Sequence, residues 1–308
     1  MALPAIPQGM TPAWLTPVLI QAGVLAHGIE VTQVSRSQVG DGVGMMSELA
    51  RLEVNYSGAT DAPRTLVAKF ASQNVTNREV AMDFHLYERE VRYFQELDKR
   101  TDLVSPHMYH LEMDGDCFVM LMEDLGHLRC GDQAEGADLE DSQRCVDALV
   151  KLHTPFWNKV DNIDWVPGIA DSYHADTLCN FIQDAWLVMM EHFGEFVDPS
   201  IDQAREQFFS SARGLQAKLY AAPRTFVHGD FRLDNFFFGE VEAEQEIIVF
   251  DFQGPLLGKG IVDVALLLGQ STKKKFDEPM KEPWFVDTRQ VCAIMASTIL
   301  TRLHGMIT

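Results

Sequence analysis

His228-Gly229-Asp230-Phe231-Arg232-Leu233-Asp234-Asn235, followed sixteen residues after Asn235 by Asp251-Phe252-Gln253, is the stretch on which the reading of this chain turns. Any one of these acids alone would be an ordinary turn or cap residue. Together, in this order and bracketed by apolar runs, they assemble a coherent chemistry. A carboxylate at Asp230 can accept the proton of a hydroxyl. Five residues on, Asn235 offers an amide oxygen, a hard ligand suited to Mg²⁺. Asp251 ends the apolar run Ile247-Ile248-Val249-Phe250 and could supply an anionic metal ligand. Phosphoryl transfer asks for little else than a positioned hydroxyl, neutralised phosphates and held metals.

The same order of loop Asp, Asn and later Asp-Phe occurs in protein kinases. Leu66-Val67-Ala68-Lys69-Phe70 resembles their Val-Ala-Ile-Lys strand, whose Lys holds the α- and β-phosphates. A lone Lys in an apolar strand is otherwise an edge residue that snorkels, so a partner matters. Glu90, 21 residues further on, adjoins the apolar stripe of Tyr87, Val91 and Phe94; Glu79 and Glu88 are rivals for the pairing. Gly40-Asp41-Gly42-Val43-Gly44 precedes the Lys69 strand and could fold over phosphates with its backbone N–H groups, although glycines also simply make turns. Gly254 to Gly260 is no P-loop: it is one residue short and has Gly where a hydroxyl must reach the metal. Met120 and Met122 read as strand core, His153 as a structural histidine on a buried helix end, and Trp157, Trp165 and Trp186 as core or pocket lining.

Around these residues the pattern predicts a helix over 12–26, strands over Gly44–Tyr56 and Thr65–Phe70, and a turn at Ser57–Pro63. Thr76-Asn77-Arg78-Glu79 is a capping box that opens a helix with Val80, Phe84, Tyr87, Val91, Phe94 and Leu97 on one face. Cys117–Met122 reads as a buried strand, and Gly126 to Asp141 as a connection. Helices then run over about 141–153, 173–193 and 201–220. Phe226–Val227, Asn235–Phe238 and Ile247–Phe252 are short strands, the last two joined by an acidic hairpin. The order gives an α+β chain with a β-rich N-terminal lobe over 1–122, a hinge near 121–126, and a mainly helical C-terminal lobe over 123–308.

Bulk composition removes several classes. Of 308 residues 46% are hydrophobic and 23% charged, the profile of a globular chain with ample core material. A net charge of −20 opposes binding to a nucleic-acid backbone, which needs a positive surface. Acidic clusters such as Asp132 to Asp141 read as solvated loops rather than as a substrate signal. No apolar run reaches the eighteen residues of a membrane span. No Lys or Arg precedes Arg36, so a basic signal-peptide start is missing. Five scattered cysteines, Cys117, Cys130, Cys145, Cys179 and Cys292, never form CxxC and read as free thiols of a cytoplasmic protein.

On these residues the chain resembles the aminoglycoside phosphotransferase and choline kinase superfamily, and most of all its ecdysteroid-kinase-like branch. The matching segments are Gly42-Val43-Gly44 with Glu48 to Leu52, Leu66–Lys69, Glu88 to Phe94, Met122 to Leu125, Leu149–His153 with Phe156-Trp157, His228–Asn235, Asp251–Gln253 and Asp263-Val264-Ala265. The resemblance implies a two-lobed protein-kinase-like fold and a kinase that uses ATP and Mg²⁺ on a small-molecule hydroxyl. It implies Asp230 as catalytic base and Asn235 and Asp251 as magnesium ligands. Lys69, paired with Glu90, would steady the phosphates beneath Gly40, Gly42 and Gly44. Backbone groups from Glu123 to Leu125 would meet adenine, and His228 and Asp263 would brace the catalytic loop. Gln253 stands where protein kinases have Gly. Hydrophobic alcohols, suggested by the nearest branch, and amines, suggested by its cousins, are both open as acceptors.

The chain departs from its relatives beyond Gln270. A linker and one amphipathic helix are expected there, with Asp287 as cap and Val291, Ile294, Met295, Thr298, Ile299 and Leu303 as the stripe. Relatives usually add further helices that close the acceptor side. The expectation is an acceptor pocket that is unusually open, with an apolar patch, or one completed by a second copy in a homo-oligomer. A nucleotide-binding pseudokinase is the alternative reading, and the retention of Lys69, Asp230, Asn235 and Asp251 speaks against it. A protein kinase is disfavoured because no Ala-Pro-Glu follows Asp251.

Overall fold

The computed structural model describes residues 2–39, 46–241 and 244–271. Gly40, Gly42 and Gly44, and the tail expected to carry the last helix, lie outside the described residues.

Helix α1 (Pro12–Gln21) starts at Thr11, whose side chain accepts from Trp14 N–H, and has Pro at its first position. It stops short of the expected residue 26 because Gly23 takes φ 77°, a left-handed turn that ends the helix. Strands β1 (Val31–Val39), β2 (Ser47–Tyr56), β3 (Thr65–Ala71), β4 (Met108–Asp114) and β5 (Cys117–Glu123) form one antiparallel sheet in the order β1-β2-β3-β5-β4. Trp14, Leu15, Val18 and Leu19 of α1 belong to one core cluster with Leu52, Leu66 and Leu121 of the sheet. Leu15, Leu19, Leu52, Leu66 and Leu121 are fully buried, each worth about 1.5–3 kcal/mol over the exposed state.

Between β3 and β4 the expected single helix is two. Helix α2 (Val75–Asp83) is capped by Asn74, whose side chain accepts from Asn77 N–H, so the capping box read at Thr76 is not used. Asn74 precedes Thr76 and captures the first free N–H groups before the threonine can. The chain then turns at His85 (φ 55°) and restarts as α3 (Leu86–Arg92), running on through a π turn over Tyr93–Leu97. The break lets Tyr87 stack on Phe118 of β5 while Tyr93 and Phe94 face the other lobe.

The C-terminal half begins with the two-residue strand β6 (Arg129–Cys130) and α4 (Leu139–His153), capped by Asp138. Long helices α5 (Ser172–Phe193) and α6 (Pro199–Tyr220) form a hairpin in which only Ala175 and Ala212 are buried, and Tyr173, Phe181, Leu187, Phe193 and Phe208 are exposed. Then follow β7 (Thr225–Val227), β8 (Phe236–Val241), β9 (Glu244–Val249), β10 (Leu256–Gly258) and α7 (Ile261–Ser271). Strand β7 pairs with β10, and β8 lies between β6 and β9, all antiparallel. A second core cluster runs from Tyr87, Val91 and Phe118 through Leu149 and Leu152 to Phe226, Phe252 and Leu267, and joins the sheet-bearing half to the helical half. This is the two-lobed kinase-like fold. No helix among the described residues is long and apolar enough to cross a membrane.

Candidate active site

Strands β7, β8 and β9 converge on one loop. Strand β7 delivers His228, the chain turns through Asp230 to a short 3₁₀ turn at Leu233–Asn235, and the β8–β9 hairpin returns it to Asp251. Phe236 pairs with Val249, and Phe250 N–H donates to Asn235 O at 3.1 Å, so loop and return strand are zipped together.

The loop is tied from behind by Asp263 of α7, which is fully buried. Its carboxylate accepts from His228 N–H and Gly229 N–H, each at 2.9 Å, and from the His153 ring at 2.9 Å. The His228 ring meets Phe250 O through Nε2 at 3.1 Å, and its Nδ1 accepts from Asp230 N–H at 3.2 Å. Those partners place a ring hydrogen on Nε2. Gly229 has φ 83°, and a Cβ there would lie 1.9 Å from Gly254 O, so only glycine fits.

Asp230 faces the cleft half-buried. Its Oδ2 accepts from Asn235 Nδ2 at 2.9 Å and from Arg232 Nε at 3.1 Å. Arg232 also donates to Gln133 at 3.1 Å. No role was read for Arg232 or Gln133 in the sequence. The only signal was that Arg232 stands inside the loop motif, two residues after Asp230.

Asp251 follows β9 with φ 66°, a left-handed conformation that Asp tolerates better than most residues. The turn sends Phe252 into the core, where its ring stacks on Tyr93 with centroids 3.6 Å apart. The Asp251 carboxylate is left partly open, 2.8 Å from Lys69 Nζ. Lys69, 5% exposed on β3, also reaches Glu90 Oε1 at 2.7 Å. Of the three glutamates weighed for this Lys, it is Glu90 that lies beside it; Glu88 pairs with Arg92 and His85. Burial works against the Lys69 charge, but Asp251 and then Glu90 outweigh it and raise its pKa. Burial would raise the Asp251 carboxyl as well, yet Lys69 holds it below the usual range. Burial raises Glu90, with Lys69 only partly opposing it.

At the chain crossing, Glu123 N–H donates to His107 O at 3.0 Å, and Leu125 O accepts from Leu128 N–H at 2.9 Å. Asp124 accepts from Gly126 N–H at 2.9 Å and from Arg51 at 2.8 Å. These contacts hold the crossing in one shape.

Among the described residues, no three His, Cys, Asp or Glu side chains gather as a metal cage. What is present suits a different ion. Asp251 offers a carboxylate at the cleft, and Asn235, with its nitrogen committed to Asp230, keeps its amide oxygen for a cation. Two hard oxygens with the remainder from phosphate and water is the usual protein share of a Mg²⁺ site.

No curated protein matches the chain. Among solved structures, the aminoglycoside phosphotransferase APH(2″)-IIia, solved with GDP and kanamycin, is similar at 16% identity over 94% of this chain and 86% of that one, with a TM-score of 0.52. An aminoglycoside-3′-phosphotransferase of type VIII is similar at 15% identity over 89% of this chain and 87% of that one, with a TM-score of 0.45. The first likeness shows the fold. The family model for ecdysteroid kinase-like proteins matches residues 41–284, well over half the chain. The chain belongs to the ecdysteroid kinase-like family.

Proposed function

We propose that the protein is a small-molecule kinase that moves the γ-phosphoryl group of ATP to a substrate hydroxyl with Mg²⁺ bound. The observation that carries this reading is the single cluster Glu90–Lys69–Asp251, set against a loop in which Asn235 and Arg232 grip one oxygen of Asp230. Lys69 steadies the α- and β-phosphates, and Glu90 keeps its ammonium aimed. Leu125 N–H and Glu123 O meet the adenine edge. The lobes divide near 122/123, so the nucleotide lies between them, and Gly40, Gly42 and Gly44 belong to the phosphate cover.

Asp230 Oδ2 is held by Asn235 and Arg232, which leaves Oδ1 to orient the acceptor hydroxyl and take its proton as the O–P bond forms and ADP leaves. A Mg²⁺ held by Asp251 and the Asn235 oxygen would offset charge on the phosphates. The test is ADP release across a panel of hydroxylated metabolites, with and without Mg²⁺. GTP is run beside ATP because the structural relative was solved with GDP. Turnover with at least one acceptor, lost in Asp230→Asn and on chelation, is expected. Nucleotide binding without turnover on any acceptor would leave the pseudokinase reading in its place.

A further inference from the structure

Arg89 follows the logic of no pair yet described. It sits on α3 beside Glu90 and is 6% exposed, yet its Nε and Nη1 are buried with no hydrogen-bond partner. The nearest carboxylates are otherwise engaged. Glu88 turns to Arg92 and His85 at 3.5 and 3.3 Å, and Asp171 caps α5 by accepting from His174 N–H at 3.2 Å. Neither reaches ion-pair distance of Arg89 among the described residues. The chain has 45 acidic residues against 25 basic ones, so the guanidinium is not unpaired for want of carboxylates.

Across from α3, the first turn of α5 brings His174, whose Nδ1 is also buried without a partner. Its ring is fixed edge-on to Phe84 with centroids 5.7 Å apart. Burial, and then the nearby Arg89 charge, lower the His174 pKa, so the imidazole is neutral at neutral pH and can donate from Nδ1. Three nitrogens on two side chains thus stand without acceptors, the Arg89 charge is felt at the His174 ring, and that ring packs on Phe84 at the end of α2, five residues before Arg89. Water could satisfy their hydrogen bonds but not the charge, and a buried cation without a counter-ion is costly.

We propose that Arg89 and His174 form a buried oxyanion site between α3 and α5, which takes a phosphate or carboxylate group. The Nε–H and Nη1–H groups leave different edges of the guanidinium, so an oxygen of such a group meets one of them together with the cation's charge, and His174 adds a second donor. The site does not depend on the nucleotide reading. Occupancy would tie the helix that carries Glu90 to the helical hairpin.

The test is the melting midpoint of the full chain, titrated in an anion-poor buffer with inorganic phosphate and, separately, with acetate. The two arms separate a phosphate-type from a carboxylate-type occupant, and a saturable rise with either supports the site. Arg89→Met should lose the response, with affinity down about thirtyfold or more. Its midpoint without added anion should equal or exceed the parent's, because an uncompensated buried charge is gone. Arg89→Lys, which keeps the charge and loses the guanidinium N–H donors, and His174→Phe, which keeps a ring, should each bind more weakly than the parent. They decide the matter where Arg89→Met does not fold. No rise with either anion, or the same affinity in parent and variants, overturns the proposal.

Discussion

Asn235 Nδ2 bonds both the backbone oxygen of Asp230, at 2.8 Å, and its Oδ2, at 2.9 Å. One amide therefore sets the course of the loop and the direction of the carboxylate at once. Its oxygen takes no part in that grip, and the Mg²⁺ proposed above would use it together with Asp251. Asn235→Ala should therefore cost turnover twice over, through Asp230 and through the metal.

Asp230→Asn keeps the shape and removes the carboxylate proposed as the base. Phosphoryl transfer should fall by roughly 10²–10⁴-fold, the usual worth of a positioned base, while Mg²⁺–ATP affinity stays within a few-fold. Steady-state rates and calorimetry on the same preparation check both halves. Turnover within tenfold of the parent would show that Asp230 is not the base.

Lys69→Met leaves the Glu90 carboxylate buried without its cation. Breaking a buried pair from one side costs about 3–5 kcal/mol, so the urea midpoint should drop sharply. Adding Glu90→Gln should restore much of the loss, but not nucleotide affinity. A double variant no more stable than Lys69→Met would mean that the pair is not coupled.

Acid should undo the Asp251 contribution in a defined direction. A carboxyl whose folded pKa lies below its ordinary 3.8 adds stability above that value and loses it as pH falls through the folded pKa. The parent's advantage over Asp251→Asn should thus be flat from neutral pH to about 4 and shrink below it. Lys69, raised above its ordinary 10.5, gives the opposite edge, with its contribution intact at neutral pH and lost only in strong alkali. Denaturant midpoints of parent and variant across pH measure the difference.

Gly229→Ala should be worse than a routine glycine change. The φ of 83° alone costs about 1–2 kcal/mol for an L-residue, and the new Cβ would collide with Gly254 O. Strain of at least about 2 kcal/mol is expected, with turnover lost because the loop must shift. A variant with parental stability and rate would show that the loop relaxes freely.

How much of this was legible depended on whether an element's signal was local. The loop 228–235, Asp251 and Lys69 could be read because chemistry dictates both their types and their spacing, and the structure brings them together. Strand β1 was missed because it is exposed along most of its length, so no alternation marks it, and only pairing with β2 makes it a strand. Strand β4 is half-buried and owes its place to β5. The break at His85 carried no glycine to announce it, and two lobes pulling Tyr87 and Tyr93 in different directions explain it better than any local preference. Arg89 looked like one more surface charge in Glu88-Arg89-Glu90, since burial is a property of the assembled molecule.

The stacking of Tyr93 on Phe252 joins two pieces that carry opposite ends of the same ion cluster. Tyr93 continues the helix of Glu90, and Phe252 is the next residue after Asp251. A movement that draws Glu90 away from Lys69 must slide or part that pair of rings, and so disturb the backbone that aims Asp251. The two carboxylates that share Lys69 are geared to each other, and a half-assembled cluster, with one in place and the other withdrawn, is mechanically the hardest arrangement for this chain to hold.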